Sequence, residues 1–209
     1  MKLPQVVLCD EPRAFAADEI FFSTTDSRGV ITAGNDVFVR ISGYDTTELL
    51  GRAHNIIRHP DMPRVAFRLV WSYLLADKPV AALVKNLAKD GRYYWVVALI
   101  VPMEGGYLSV RFKPTGPFQA VAEGLYARML AEEKRVRTDG AGEDAAMDAG
   151  GRVLAEGLKA NGFADYDASH LGVDLDLPAG TPVHAPADSV VRRAGPWQHW
   201  GRCVLLDHG

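Results

Sequence analysis

Apolar and polar residues alternate in two parts of the first half of the chain, and between them apolar residues recur every three or four positions. Residues 19–25 (EIFFSTT) are aromatic and β-branched and run into Asp26-Ser27-Arg28-Gly29, a turn with glycine where positive φ is easily accepted; residues 30–33 resume the strand, so the opening is a hairpin. From Asn35 the period changes: Val37, Phe38, Ile41 and Tyr44 have the spacing of a short amphipathic helix. Residues 46–51 predict another, with Thr46 to cap it and Gly51 to end it. Residues 63–76 carry Val65, Phe67, Leu69, Val70, Trp71, Tyr73, Leu74 and Leu75, a helix buried on one side. Residues 80–88, 93–102 and 107–113 then read as strands joined by Lys89-Asp90-Gly91 and Glu104-Gly105-Gly106. Together these elements predict an α+β fold: a five-stranded antiparallel sheet with its helices inserted after the second strand and laid on one face. The cleft between helices and sheet is then the natural ligand site.

Residues 114–117 form a linker. Phe118, Val121, Ala122, Leu125, Tyr126, Met129 and Leu130 continue at helical spacing to Lys134, in a helix that can dock on its own chain or pair with a second copy. Residues 138–142 break it, and residues 145–161 predict a weaker helix interrupted by Gly150-Gly151 and stopped by Gly162.

Composition narrows the function classes. At 48% hydrophobic and 23% charged residues, the 209-residue chain can bury a core in one or two domains. A formal charge of −3, with no basic run longer than Lys134-Arg135, argues against nucleic acid as a partner. Cys9 and Cys203 are far apart and in no metal-binding motif, which suits a reducing compartment. No apolar run reaches the roughly 18 residues of a membrane span, and residues 1–18 lack a signal-peptide core, so a soluble, cytoplasmic protein is expected.

The chemistry concentrates in residues 54–63, HNIIRHPDMP. Pro60 and Pro63 fix their own φ and push His59 and Met62 toward extended geometry, so two histidines, Arg58, Asp61 and Asn55 are presented from a stiff loop. The loop either holds a ligand or caps the following helix, with Asp61 near its N-terminus and Pro63 in its first turn.

Residues 20–113 are similar to the PAS domain of bacterial aerotaxis receptors and their soluble relatives. The resemblance runs through FSTTD, the ND.F of residues 35–38, SGY at 42–44, RHPDMP at 58–63 and VKN..KDG.YYWV at 84–96. It implies bound FAD that reports redox state or oxygen to a chemotaxis-type signalling partner, with Asn35, Arg58, His59 and Asp61 in the flavin-associated positions. Bidentate guanidinium contact with a phosphate or carbonyl suits Arg58, and an amide at a ring edge suits Asn35. His59 and Asp61 have the alternative of a mutual hydrogen bond that orders the loop. One departure stands out: where the family has Pro-Trp-x-Gly, this chain has Pro79-Val80-Ala81-Ala82, which reshapes the cleft edge. Leu125-Tyr126 and GFADYD at 162–167 extend the resemblance past the domain to residue 167.

Residues 168–209 resemble the first half of the lysostaphin-type zinc endopeptidase β-core. His170 and Asp174 match that family's HxxxD metal ligands, but no later HxH follows. Two ligands do not make a hydrolytic zinc site, so neither peptidase activity nor zinc is expected. The resulting division is an N-terminal extension (1–18), a PAS sensor domain (19–114), linker and signalling or docking helices (115–167) and a truncated all-β tail (168–209). The reading is a non-enzymatic sensor that signals through a partner and can form a homodimer. Its alternatives are a fragment of a zinc metallopeptidase-like protein with a PAS regulatory domain, or a PAS module without a cofactor that serves protein contact.

Overall fold

A computed structural model describes residues 6–115, 118–161, 190–197 and 201–207. The chain divides into two compact units, residues 1–172 and 173–209.

In the first unit, β1 (Phe21–Asp26), β2 (Ile31–Gly34), β3 (Val80–Leu87), β4 (Tyr93–Met103) and β5 (Gly106–Phe112) form one antiparallel sheet in the order β2-β1-β5-β4-β3. The first hairpin turns where the Asp26 carboxylate accepts the N–H groups of Arg28 and Val30, both at 2.9 Å, and where Gly29 takes a φ of 75°. Between β2 and β3 lie α1 (Asp36–Ser42), α2 (Thr46–Leu49), a 3₁₀ turn (His54–Ile57) and α3 (Arg64–Leu75). Asp45 takes the N-cap position of α2, one residue before the expected Thr46, and its N–H donates to Glu48 at 2.9 Å.

The period-2 register sends Phe21, Tyr94, Val96 and Ala98 to the inner face, where they pack with Ile31, Phe38, Ile41, Tyr44, Leu49 and Ile57. A smaller cluster joins Val70 and Leu74 of α3 to Val80. Val80, in the Pro79-Val80-Ala81-Ala82 stretch expected at the cleft edge, is thus a buried core residue 3% exposed.

The N-terminal extension is sewn into this unit. Cys9 N–H donates to Gly91 O, Arg13 N–H to Tyr93 O and Tyr93 N–H to Glu11 O, while Phe15 enters the main core. Gly91 is required there, because a Cβ would sit 2.0 Å from the Val7 carbonyl oxygen.

After the sheet come α4 (Phe118–Thr138) and α5 (Glu143–Ala160), antiparallel neighbours that dock on their own chain. Tyr126 stacks on Trp95 with ring centroids 6.2 Å apart and donates its hydroxyl to the Leu83 carbonyl, 2.9 Å away, so α4 shares the outer edge of β3 with Arg58, which bridges Asn86. Arg64 and Arg68 of α3 reach Glu143 and Asp148 of α5. The glycine pair does not interrupt α5. A Cβ at Gly150 would lie 3.1 Å from Glu133 and Val65, so its absence lets three elements close on one another.

In the second unit, β6 (Val190–Trp197) and β7 (Gly201–Asp207) form an antiparallel pair, with a register shift between Val191 and Arg193. No helix among the described residues is long and apolar enough to cross a membrane.

Candidate functional site

Asn35 is the N-cap of α1. Its Oδ1 accepts the N–H groups of Phe38 (3.1 Å) and Phe22 (3.2 Å), and its Nδ2 donates to the Ile20 carbonyl at 3.2 Å. An amide used in this way joins α1 to β1. The expected ring-edge contact therefore competes with three bonds inside the fold.

The 58–63 loop is held from several directions. Arg58 is half-buried; its Nη2 donates to the Met62 carbonyl at 2.9 Å and its guanidinium lies 4.4 Å over the Phe67 ring. Burial, and then the neighbouring Arg64 charge, lower its pKa. His59 is buried, and its Nδ1 accepts the Asp61 N–H at 3.1 Å. The Asp61 carboxylate lies 3.4 Å from the same nitrogen, but that lone pair is already engaged, so the two are neighbours rather than an ion pair. Burial and then Lys85 lower the His59 pKa. Asp61 pairs instead with Lys85, 2.7 Å away, a buried amine that also sits 4.5 Å over the Tyr93 ring. Burial alone would raise the Asp61 carboxyl; the hydrogen bond and charge of Lys85 outweigh it and hold the pKa low. Met62 completes the clamp, its sulfur accepting the Lys85 N–H at 3.3 Å. The structure thus brings Arg58, His59 and Asp61 together beside β3 and β4, Arg58 through a main-chain bridge to Asn86, Asp61 through Lys85 and His59 against the Tyr93 ring, and gives Asn35 separate partners.

The expected cap on α3 comes from elsewhere. Pro63 occupies the N-cap position without a side-chain bond, and Asp61 faces Lys85. The carboxylate of Glu133 on α4, fully buried, accepts the N–H groups of Arg64 (3.0 Å) and Val65 (2.9 Å) and pairs with Arg137 at 3.1 Å. A residue sixty-nine positions away caps the helix that follows the loop.

The inner face of the sheet holds a second set of polar groups. Arg111, 3% exposed, stands opposite Phe21 on β1 and Ala98 on β4. Its Nη2 donates to Ser23 Oγ at 3.0 Å and to His54 Nε2 at 2.6 Å. A guanidinium has no acceptor, so His54 Nε2 accepts and its ring is the neutral Nδ1–H form. Burial first, and then the Arg111 charge, push the His54 pKa well below its ordinary value. Burial lowers Arg111 itself to about 10. The Nη1 of Arg111, the Nδ2 of Asn86, the Oγ of Ser109 and the hydroxyl of Tyr94 are buried without a hydrogen-bond partner. By register all four residues are on the inner face. Such a set is what a ring with several carbonyl and nitrogen acceptors needs from its host, so the donor chemistry fits a flavin.

Two hollows lie elsewhere. One, of about 30 Å³ between α3, β3, α4 and α5, has room for no more than a water. The other is an open groove beside Arg58, Arg64, Arg68 and Trp71. His170 and Asp174 lie outside the described residues, and no cluster of three metal-ligating side chains occurs among the described ones.

Residues 31–109 match the family described as PAS fold, and the sheet order and inserted helices are those of a PAS domain. The chain is 46% identical over 121 residues to the aerotaxis receptor of Escherichia coli (strain K12), covering 56% of this chain and 24% of the receptor. It is 32% identical over 84 residues to a nitrogen fixation regulatory protein of Klebsiella pneumoniae, covering 40% of this chain and 17% of the regulator. The chain therefore spans a quarter or less of these relatives. A PAS domain from Colwellia psychrerythraea superposes with a TM-score of 0.40 at 21% identity, over 46% of this chain and 86% of that one.

Proposed function

We propose that this PAS domain is a redox or oxygen sensor that holds FAD between the inner face of its sheet and its helices, and reports to a signalling partner through α4. The observation that carries the cofactor part is the set of buried, unpartnered donors on the inner face. The identity to an aerotaxis receptor supports the sensing part. When bound, a flavin supplies a ring that accepts and returns electrons reversibly.

The chain's own residues divide the work. Arg58 supplies a half-buried guanidinium at the mouth of the loop, and Asn35 fixes the start of α1. His59, Asp61 and Lys85 keep the loop on β3. Glu133 then joins the end of that loop to α4, so a shift of the loop is a shift of the helix N-terminus that Glu133 grips. Zinc and peptidase chemistry have no part in this reading, and the partner is of the chemotaxis-type signalling class, met in a cytoplasmic setting.

The test is a visible absorbance spectrum of the purified full chain after incubation with FAD, with Arg58→Ala beside it. A bound flavin spectrum that bleaches with dithionite, and reduced occupancy in the variant, are expected. A protein that stays colourless in excess FAD refutes the cofactor and leaves a contact module; unchanged occupancy in the variant removes Arg58 from the site.

A further inference from the structure

A buried cation normally has a carboxylate beside it, because removing a guanidinium from water without one costs several kcal/mol. Arg111 has none among the described residues. Its described partners are a serine hydroxyl and a neutral imidazole, its guanidinium lies 5.3 Å from the Phe38 ring and 6.0 Å from that of Phe21, and its Nη1 is buried with no acceptor. The Tyr94 phenol, its pKa pushed up by burial, stays neutral and supplies no counter-charge. Nor does the fold need the side chain to satisfy its neighbours, since Ser23 Oγ is itself 3.0 Å from His54 Nε2 and can donate to it alone.

We propose that Arg111 is the ligand's charge partner: its Nη1 receives an anionic or carbonyl oxygen at the acceptor-rich edge of a planar ring, while Ser23 and His54 hold Nη2 in place. This rests on the reading of the domain as a flavin-binding sensor and names the residue that meets the ring's acceptor-rich edge. A fixed positive charge there favours ligands, and ligand states, that carry negative charge on that edge.

The experiment uses the full chain, stripped of any flavin, as wild type, Arg111→Met and Arg111→Lys, with FAD as the probe. Two quantities are read: the thermal midpoint of the ligand-free protein and the FAD dissociation constant from quenching of flavin fluorescence. Arg111→Met is expected to unfold at or above the wild-type temperature, because an uncompensated charge has gone. FAD is expected to bind it about tenfold to a hundredfold more weakly, the loss of one charge-assisted hydrogen bond. Arg111→Lys keeps the charge without the fork and falls between. A Met variant that unfolds well below wild type, or fails to fold, with Arg111→Gln behaving alike, shows that the guanidinium serves the core and overturns the proposal. Unchanged FAD affinity in Arg111→Met overturns it as well. If wild type takes up no FAD, the flavin reading fails separately, and the ligand-free midpoints decide whether Arg111 is still a charge kept for another ligand.

Discussion

Replacing Glu133 by glutamine tests the joint between the sensor helices and α4. The native carboxylate is fully buried, takes two N–H groups from the first turn of α3 and pairs with Arg137, whose side chain is 30% exposed. Glutamine keeps the volume but offers one oxygen and an NH₂ group, so one of the two N–H donors faces another donor, and the charge that complements the helix dipole is lost. A hydrogen bond to a buried charged group contributes about 1.5–3 kcal/mol, and the dipole adds up to about 2 kcal/mol in partly buried geometry. These effects overlap, so about 3 kcal/mol of destabilisation is expected. For a domain of this size that is a fall in thermal midpoint of about 6–12 °C. Urea titration of the full chain followed by tryptophan fluorescence measures it, because Trp95 stacks on Tyr126 of the same helix. A change below about 0.5 kcal/mol would show that water or a shifted side chain satisfies the α3 terminus, and that Glu133 does not join loop to helix.

Asn35→Ala removes a cap and a tie to β1 and should cost about 1–2 kcal/mol in the same titration; flavin loss without destabilisation would return Asn35 to the ring. Gly150→Val should destabilise by about 1–3 kcal/mol, since its Cβ would press on Glu133 and Val65. Gly151→Ala, with its nearest contact at 3.7 Å, should stabilise by up to about 1 kcal/mol, and thermal midpoints of the pair separate the two cases. His54 and His59 both have native pKa values below the ordinary one, so the unfolded chain binds more protons once the pH falls below about 6.5. Stability should therefore be complete above that pH and decline below it, by up to about 1.4 kcal/mol per pH unit for each histidine. His54→Asn should flatten the decline in urea midpoints between pH 7.5 and 5.5, and an unchanged slope would refute the assignment.

The sheet was readable because its strands obey period 2 and its turns carry Gly at positions that need it, as at Gly29 and Gly91. The helices were readable by period 3.6, most within a residue or two at their ends, while α4 runs four residues past Lys134 to Thr138. The Gly150-Gly151 pair misled by propensity alone: a glycine that weakens an isolated helix is what close packing on Glu133 requires. The 58–63 loop was legible as a structured loop, but the destinations of its side chains were not, since Lys85 and Glu133 are distant in sequence. Arg111 left one signal that could have been used. In GYLSVRF, Tyr107, Ser109 and Arg111 share a face, and the opening hairpin's pattern makes that face the interior, so an arginine there contradicts the pattern that places it.

The docking of α4 on β3 bears on how molecules of this protein meet one another. Tyr126 takes the Leu83 carbonyl, and Met62 takes the Lys85 N–H, two main-chain groups at the sheet's outer rim. Lifting α4 would free the Leu83 carbonyl, but the Lys85 N–H stays on Met62 and Asn86 stays bridged to Arg58, so the 58–63 loop as well as the helix keeps β3 from templating another strand. The rim is thus guarded twice, and self-association through β3 requires the 58–63 loop to leave as well as α4.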